Sequence, residues 1–381
     1  MASRPVYLDY NATTPLAPEV LQAMLPYLAT HFGNPSSSHG YGRAAAAAIL
    51  RAREEVAQLI ASATDEVVFT GCATEANNLA ILGVARAAPE HKRHVVVSAI
   101  EHPAVLAPAG ELARQGWRVT ELPVDTFGRV DPAELERVLR PDTALVSVML
   151  ANNEIGTLQP IAELAQLTRK RGILLHTDAA QAAGKLPIDV RALGVDLLTL
   201  AGHKFYAPKG VGALYVRRGT PIAACCFGAE QERHLRPGTE NVAAIVGLGA
   251  AARLTLDRQD ESARHLHALR ERLHAALSAG VPGLMLNGHP QWRLPNTLHC
   301  SFPGVRASAL LEAVAQDVAA SRGSACHEAG DSVSGVLAAL GVEAARAAAA
   351  VRLSVGWPTT AAEIDRAAAA LIAAWGALRK L

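Results

Sequence analysis

Residues 172–210 read GILLHTDAAQAAGKLPIDVRALGVDLLTLAGHKFYAPKG, and the fold is decided here. Two short apolar runs, 173–177 and 196–200, are bounded by turn residues and joined by a helical and loop crossover. Consecutive buried strands of a parallel sheet look like this. Asp178 sits just past the first run, and Lys204 follows the second. In open α/β sheets, ligands bind off the carboxyl ends of the strands, so both side chains are delivered to that edge.

An acid and a lysine there suit pyridoxal phosphate. The lysine can condense with its aldehyde, and the aspartate can keep its pyridine nitrogen protonated so that the ring accepts electrons. The plainer reading, a helix-capping Asp178 and a solvated Lys204, fits the pair taken alone. The neighbourhood weighs against it. Gly202, His203, Phe205, Tyr206 and Pro208 flank the lysine, and apolar surroundings depress an amine's pKa and make it a nucleophile.

The chain has 381 residues, half of them apolar and 19% charged, with a net charge of +1. That length exceeds one small core and predicts two unequal domains: a large one over 14–255, and a small one from 1–13 together with 256–381. The charge balance gives no bulk claim on nucleic acid or membrane. No apolar run approaches the roughly 18 residues of a bilayer span. The opening MASRPVYLDYNATTP lacks a signal core, so a cytoplasmic location is expected. Five scattered cysteines make no disulfide framework, and without CxxC or HExxH no metal site is expected. Cys72 and Cys300, in apolar surroundings, read as inert core residues. Strands and helices alternate over 66–216, which argues for a mainly parallel sheet with crossovers. Beyond about Leu254 the expected elements are a long helix over 257–277, a strand over 297–302, a helix near 307–317 and a strand over 351–355.

Several segments carry polar residues with two readings each. EVVFTGCATEANNLAI (66–81) is a strand, a small-residue turn and a helix. Free N–H groups at such a helix start bind phosphate, with Ala73 and Thr74 nearest, or the helix is merely capped. HVVVSAIEHPAV (94–105) is a strand ending at Glu101 and His102, and a lone histidine there can be structural. ALVSVMLANNEIG (144–156) is a buried strand whose Asn152 and Asn153 could simply form a turn. FGAEQERHLRPGTENVAAIVG (227–247) has no strand period and reads as a loop. SRGSACHEAGDSVSG (321–335) is small, polar and glycine-containing, an exposed flexible loop. Its Cys326 cannot be a core residue there, and exposed thiols are normally avoided, so this one is read as reactive. In VRLSVG (351–356), Val351, Leu353 and Val355 face one side and Arg352 and Ser354 the other. Arg352 is either a solvated edge charge or a fork for a carboxylate.

HTDAAQ (176–181) followed by GHKFYAPKGVGALYVRR (202–218) resembles the cofactor core of the cysteine desulfurases and selenocysteine lyases, within the class V aminotransferase group. The likeness runs from YLDYNATTP (7–15) to RLSVG (352–356). It implies an α/β fold of the fold-type I pyridoxal phosphate kind, assembled as a homodimer. It further implies that Lys204 carries the cofactor, Asp178 meets the ring nitrogen, and the imidazole of His102 stacks on the ring and moves protons. Ala73, Thr74 and His203 would hold the phosphate, joined by Thr239 from the neighbouring subunit. Gln181 would contact the ring hydroxyl, and Asn153 both cofactor and substrate. Arg352 would take the amino-acid carboxylate, and Cys326 the substrate sulfur as a persulfide.

Some positions depart from the desulfurase pattern. Ala201 stands where many members have serine, Ala229-Glu230 replaces a Gly-Gly pair, and His327 follows the cysteine. Selenocysteine lyases carry histidine at the place of His327 and also lack the serine replaced by Ala201. The expected reaction is conversion of L-cysteine to L-alanine, with the sulfur passed from Cys326 to an acceptor protein. The alternatives are release of selenium from L-selenocysteine and an inactive scaffold that only binds the cofactor. The acceptor could serve iron–sulfur clusters, thiolated tRNA, cofactors or DNA modification.

Overall fold

The runs VVFT, HVVVS and LLTLA lack polar alternation, the pattern of strands covered on both faces. The structure, a computed structural model, describes residues 4–323 and 334–380. In chain order its strands are β1 Val6–Tyr7, β2 Val67–Thr70, β3 His94–Ser98, β4 Arg118–Leu122, β5 Thr143–Ser147 and β6 Leu174–Asp178. They continue with β7 Leu197–Ala201, β8 Gly212–Val216, β9 Met285–Leu286, β10 Thr297–Ser301, β11 Val318–Ala319 and β12 Ala350–Ser354.

A seven-stranded sheet has the order β2-β8-β7-β6-β5-β3-β4. Strands β4, β3, β5, β6 and β7 pair in parallel, and β8 runs against both β7 and β2. Successive residues of β3 feed opposite layers. Val96 packs into one apolar cluster, and Val95 and Val97 into another. The sheet is therefore covered on both sides.

A second body of structure is built on β12-β10-β9, all antiparallel, beside the parallel pair β1-β11. Val351 and Leu353 of β12 pack with Ile364 and Leu371 of the helix Ala361–Leu378 in a separate apolar cluster. Thr360 and Glu363 cap that helix reciprocally.

The expected strands at 173–177 and 196–200 are each displaced by one residue, because the pairing of Asp178 with Thr199 draws the aspartate into the ladder. Two expectations fail more plainly. The strand placed through Glu101 ends at Ser98, and His102 instead caps the helix Pro103–Arg114. The long helix begins at Val242, inside the segment read as loop, and runs 39 residues to Gly280. Glycines in VAAIVGLGAAA argue against helix by propensity. Tertiary packing overrides them: a Cβ on Gly249 would lie 2.6 Å from the Cα of Ala52 in the helix Gly40–Leu59.

Candidate active site

The parallel strands place their following residues along one edge of the sheet. After β2, the helix Ala73–Ala87 opens with Ala73 and Thr74, whose N–H groups lack intrahelical acceptors by helix geometry. A Cβ on Gly212 would come within 3.0 Å of the Ala73 nitrogen, so only glycine lets β8 pass so close beneath this turn. Cys72 departs from expectation. It is exposed, not a core residue, and its thiol accepts the Glu75 N–H at 3.5 Å as the helix N-cap. The strand ends at Thr70, so the next residues leave the sheet and cannot point into the core. Cys300, in contrast, is fully buried, and burial pushes its thiol up to about 12.

Asp178 closes β6 and is 6% exposed. Its carboxylate accepts the Asn77 side-chain amide at 2.7 Å and the Ala180 N–H at 2.9 Å. After β7 the chain tightens into the single turn Gly202–Lys204. Lys204 Nζ donates to the carbonyls of Asn11 and Ala12 at 2.6 and 2.8 Å. His203 Nδ1 lies 3.1 Å from the Thr13 hydroxyl. Burial, then the charges of Lys204, Lys209 and Lys185, hold its imidazole down at about 4. It is neutral near pH 7 and offers an N–H, not a charge. His102 Nδ1 accepts the Ala104 N–H at 3.1 Å, which puts the proton of the neutral ring on Nε2.

One cavity of about 260 Å³ is lined by Ala73, Thr74, His102, Asn153, Asp178, Gln181, His203, Lys204 and Arg352. Arg352 is 2% exposed, which removes the reading of a solvated edge charge. Its guanidinium donates to Asp9 Oδ1 at 2.7 Å and to the Asn153 carbonyl at 3.0 Å, and its Nε has no partner among the described residues. Thr239 is exposed and does not line this cavity. Cys326 and His327 lie outside the described residues.

Residues that sequence reading passed over also shape the site. Asn77 lies one helical turn beyond Ala73 and Thr74, a spacing that puts it on the same face, and it holds Asp178. Asn11 gives its carbonyl to both Lys204 Nζ and Gln181 Nε2.

Glu101 is a third such residue. It is 4% exposed, with one oxygen accepting from the Ser98 hydroxyl and the Met149 N–H and the other without a partner among the described residues. Burial raises its pKa from 4.5 to about 8. The unfolded carboxyl ionises near 4.5 and the folded one near 8, so the folded chain holds the extra proton in between. Stability therefore falls as pH rises through that window. Glu101→Gln is uncharged at every pH and keeps an acceptor for Ser98 and Met149. At pH 9 it should exceed the wild type in stability by on the order of 2–4 kcal/mol, and at pH 4 match it within about 1 kcal/mol. Thermal melts at the two pH values decide; an unchanged difference would show that Glu101 carries no ionisation penalty.

The arrangement unites groups that rarely meet by accident: an amine on a tight turn, a buried carboxylate on the adjacent strand, and open N–H groups at a helix start. An anion fits the last, and the first two fit an aldehyde-bearing aromatic cation.

The sequence model of the aminotransferase class-V family matches residues 6–367. The chain is 45% identical over 363 residues to the cysteine desulfurase IscS of Dictyoglomus turgidum, covering 95% of this chain and 92% of that protein. It is 44% identical over 365 residues to the cysteine desulfurase of Homo sapiens, covering 95% and 80%. Among solved structures it resembles a NifS-like protein with a TM-score of 0.92 and 37% identity over 100% of both chains. It also resembles SspA in complex with cysteine, with a TM-score of 0.81 and 35% identity over 93% of this chain and 99% of that one.

Proposed function

Because the chain belongs to the aminotransferase class-V family, we propose that it is a cysteine desulfurase that holds pyridoxal 5′-phosphate in this cavity. It converts L-cysteine to L-alanine and leaves the sulfur on Cys326. The observation that carries this reading is the meeting of Lys204, Asp178 and the Ala73–Ala87 helix start in one cavity at one edge of the seven-stranded sheet. The donor set fits the cofactor. The phosphate suits the N–H groups of Ala73 and Thr74 with the neutral His203, the ring nitrogen suits Asp178, and the aldehyde suits Lys204. When bound, the cofactor supplies an electron sink that weakens the bonds at the substrate Cα.

The chain's residues do the rest. Arg352 orients the substrate carboxylate, with Asp9 and the Asn153 carbonyl keeping its guanidinium in place. Lys204 takes the Cα proton and returns one to Cβ, and His102 serves as a second proton carrier beside it. The substrate Cβ–S bond breaks and a bond from that sulfur to the Cys326 Sγ forms. One thiol proton ends on Cβ, making the methyl group of alanine, and the other stays on the persulfide. No outside oxidant or reductant is needed. An acceptor protein then takes the outer sulfur.

Two further elements belong to the same reading. Leu21, Leu25, Leu28, Phe32 and Tyr41 are exposed apolar side chains around the first two helices, and together with the exposed Thr239 they support a second copy of the chain completing the phosphate site. The division into residues 14–255 and a small domain of 1–13 with 256–381 falls within the Val242–Gly280 helix. Ile245 and Leu248 of that helix join one core, and Leu266 and Leu273 join the other.

A single turnover with L-cysteine tests the assignment. The wild type should yield one alanine and one persulfide per chain, whereas Cys326→Ser should keep its full cofactor content and form no persulfide. A wild type that releases selenium from L-selenocysteine but forms no persulfide from L-cysteine would overturn it.

A further inference from the structure

Behind Gln181 lies a lysine that the mechanism above does not use. Lys185 stands at the end of AAQAAGK and is 7% exposed. Its Nζ donates to Gln181 Oε1 at 2.7 Å. The other end of that carboxamide, Nε2, donates to the Asn11 carbonyl at 2.9 Å, and the same carbonyl accepts Lys204 Nζ at 2.6 Å. These partners permit one orientation of the amide. A flipped Gln181 would set its oxygen against the carbonyl oxygen of Asn11 and abandon the donor at Lys185. An amide nitrogen has two N–H groups. Asn11 uses one, and Gln181 lines the cavity.

A buried lysine is a costly way to fill this space. Burial, then the charges of Lys204 and Arg352, hold its amine well below the usual lysine range, and what it gives in return is the N–H donated to Gln181 Oε1. Methionine would occupy a similar volume without desolvating an amine. A donor aimed at Gln181 is what lysine adds.

We propose that Lys185 is a positioning residue for the cofactor, holding the Gln181 carboxamide with its nitrogen toward the cavity, where it donates to the ring oxygen of pyridoxal phosphate. This rests on the cofactor reading given above. The test is a double-mutant cycle on the full-length chain, stripped of cofactor and titrated with pyridoxal 5′-phosphate. Lys185→Met should weaken binding about tenfold in the wild-type background and by less than about twofold in Gln181→Leu, because the lysine acts only through that amide. A merely structural lysine would give the same loss in both backgrounds, and that result, or no loss in either, overturns the proposal. If the wild type fails to bind the cofactor, the functional reading itself falls. Should Lys185→Met not fold, Lys185→Ala titrated with and without propylamine replaces it. Recovery of cofactor affinity with the added amine supports the role, and no recovery refutes it.

Discussion

Lys204→Ala should lower alanine formation from L-cysteine by on the order of 10³-fold, the scale of a lost proton-transfer group, while the chain stays folded. Lys204 Nζ donates to the carbonyls of Asn11 and Ala12. Asn11 keeps Gln181 Nε2 as a donor after the substitution, whereas Ala12 loses this one, at about 1–3 kcal/mol. The complementary measurement is borohydride reduction of the yellow wild-type protein followed by peptide mapping. The cofactor mass should sit on the peptide containing Lys204. A label on Lys185, a buried amine beside the site, would reassign the attachment point.

Asp178→Asn should produce a loss of comparable size by a different route, because a neutral amide cannot stabilise a protonated ring nitrogen. The structure also says why this variant should fold. Asp178 accepts from Asn77 and from the Ala180 N–H, so an amide nitrogen at the Asn77 side would meet another donor. Asn77 Oδ1, however, has no partner among the described residues. Asn77 can flip, accept from the new amide, and restore the contact at a cost of roughly 1 kcal/mol. A melting temperature near that of the wild type together with turnover reduced on the order of 10²–10⁴-fold is the expected pair of results. Near-normal turnover would remove Asp178 from the ring nitrogen.

The parallel sheet was legible because its strands are short, apolar and bounded by turns, and because such sheets gather the residues after each strand at one edge. That rule alone brings Asp178, Lys204 and the Ala73–Thr74 turn together. What escaped was set by contacts between distant segments. Nothing local shows that Arg352 is held by Asp9, or that Lys185 faces Gln181 instead of solvent. The early start of the long helix was hidden for the same reason, since Gly249 is favourable only once the helix Gly40–Leu59 lies against it. Cys72 was misjudged because apolar neighbours in sequence say little about a residue where the chain leaves a strand.

The pairing of β1 with β11 has a consequence for biogenesis. Val6 and Tyr7 find their strand partners only at Val318 and Ala319, and Asp9 meets Arg352 across 343 residues of chain. A ribosome adding roughly 5–20 residues per second therefore exposes the segment around Asp9 for tens of seconds before its partners emerge. Contacts of such long sequence separation also form slowly. The sheet carrying Lys204 can assemble earlier, from residues 67–216. Nascent chains should therefore pass through a stage in which the amine is in place and the arginine is not, with residues 6–9 available to a chaperone until synthesis reaches the last strand.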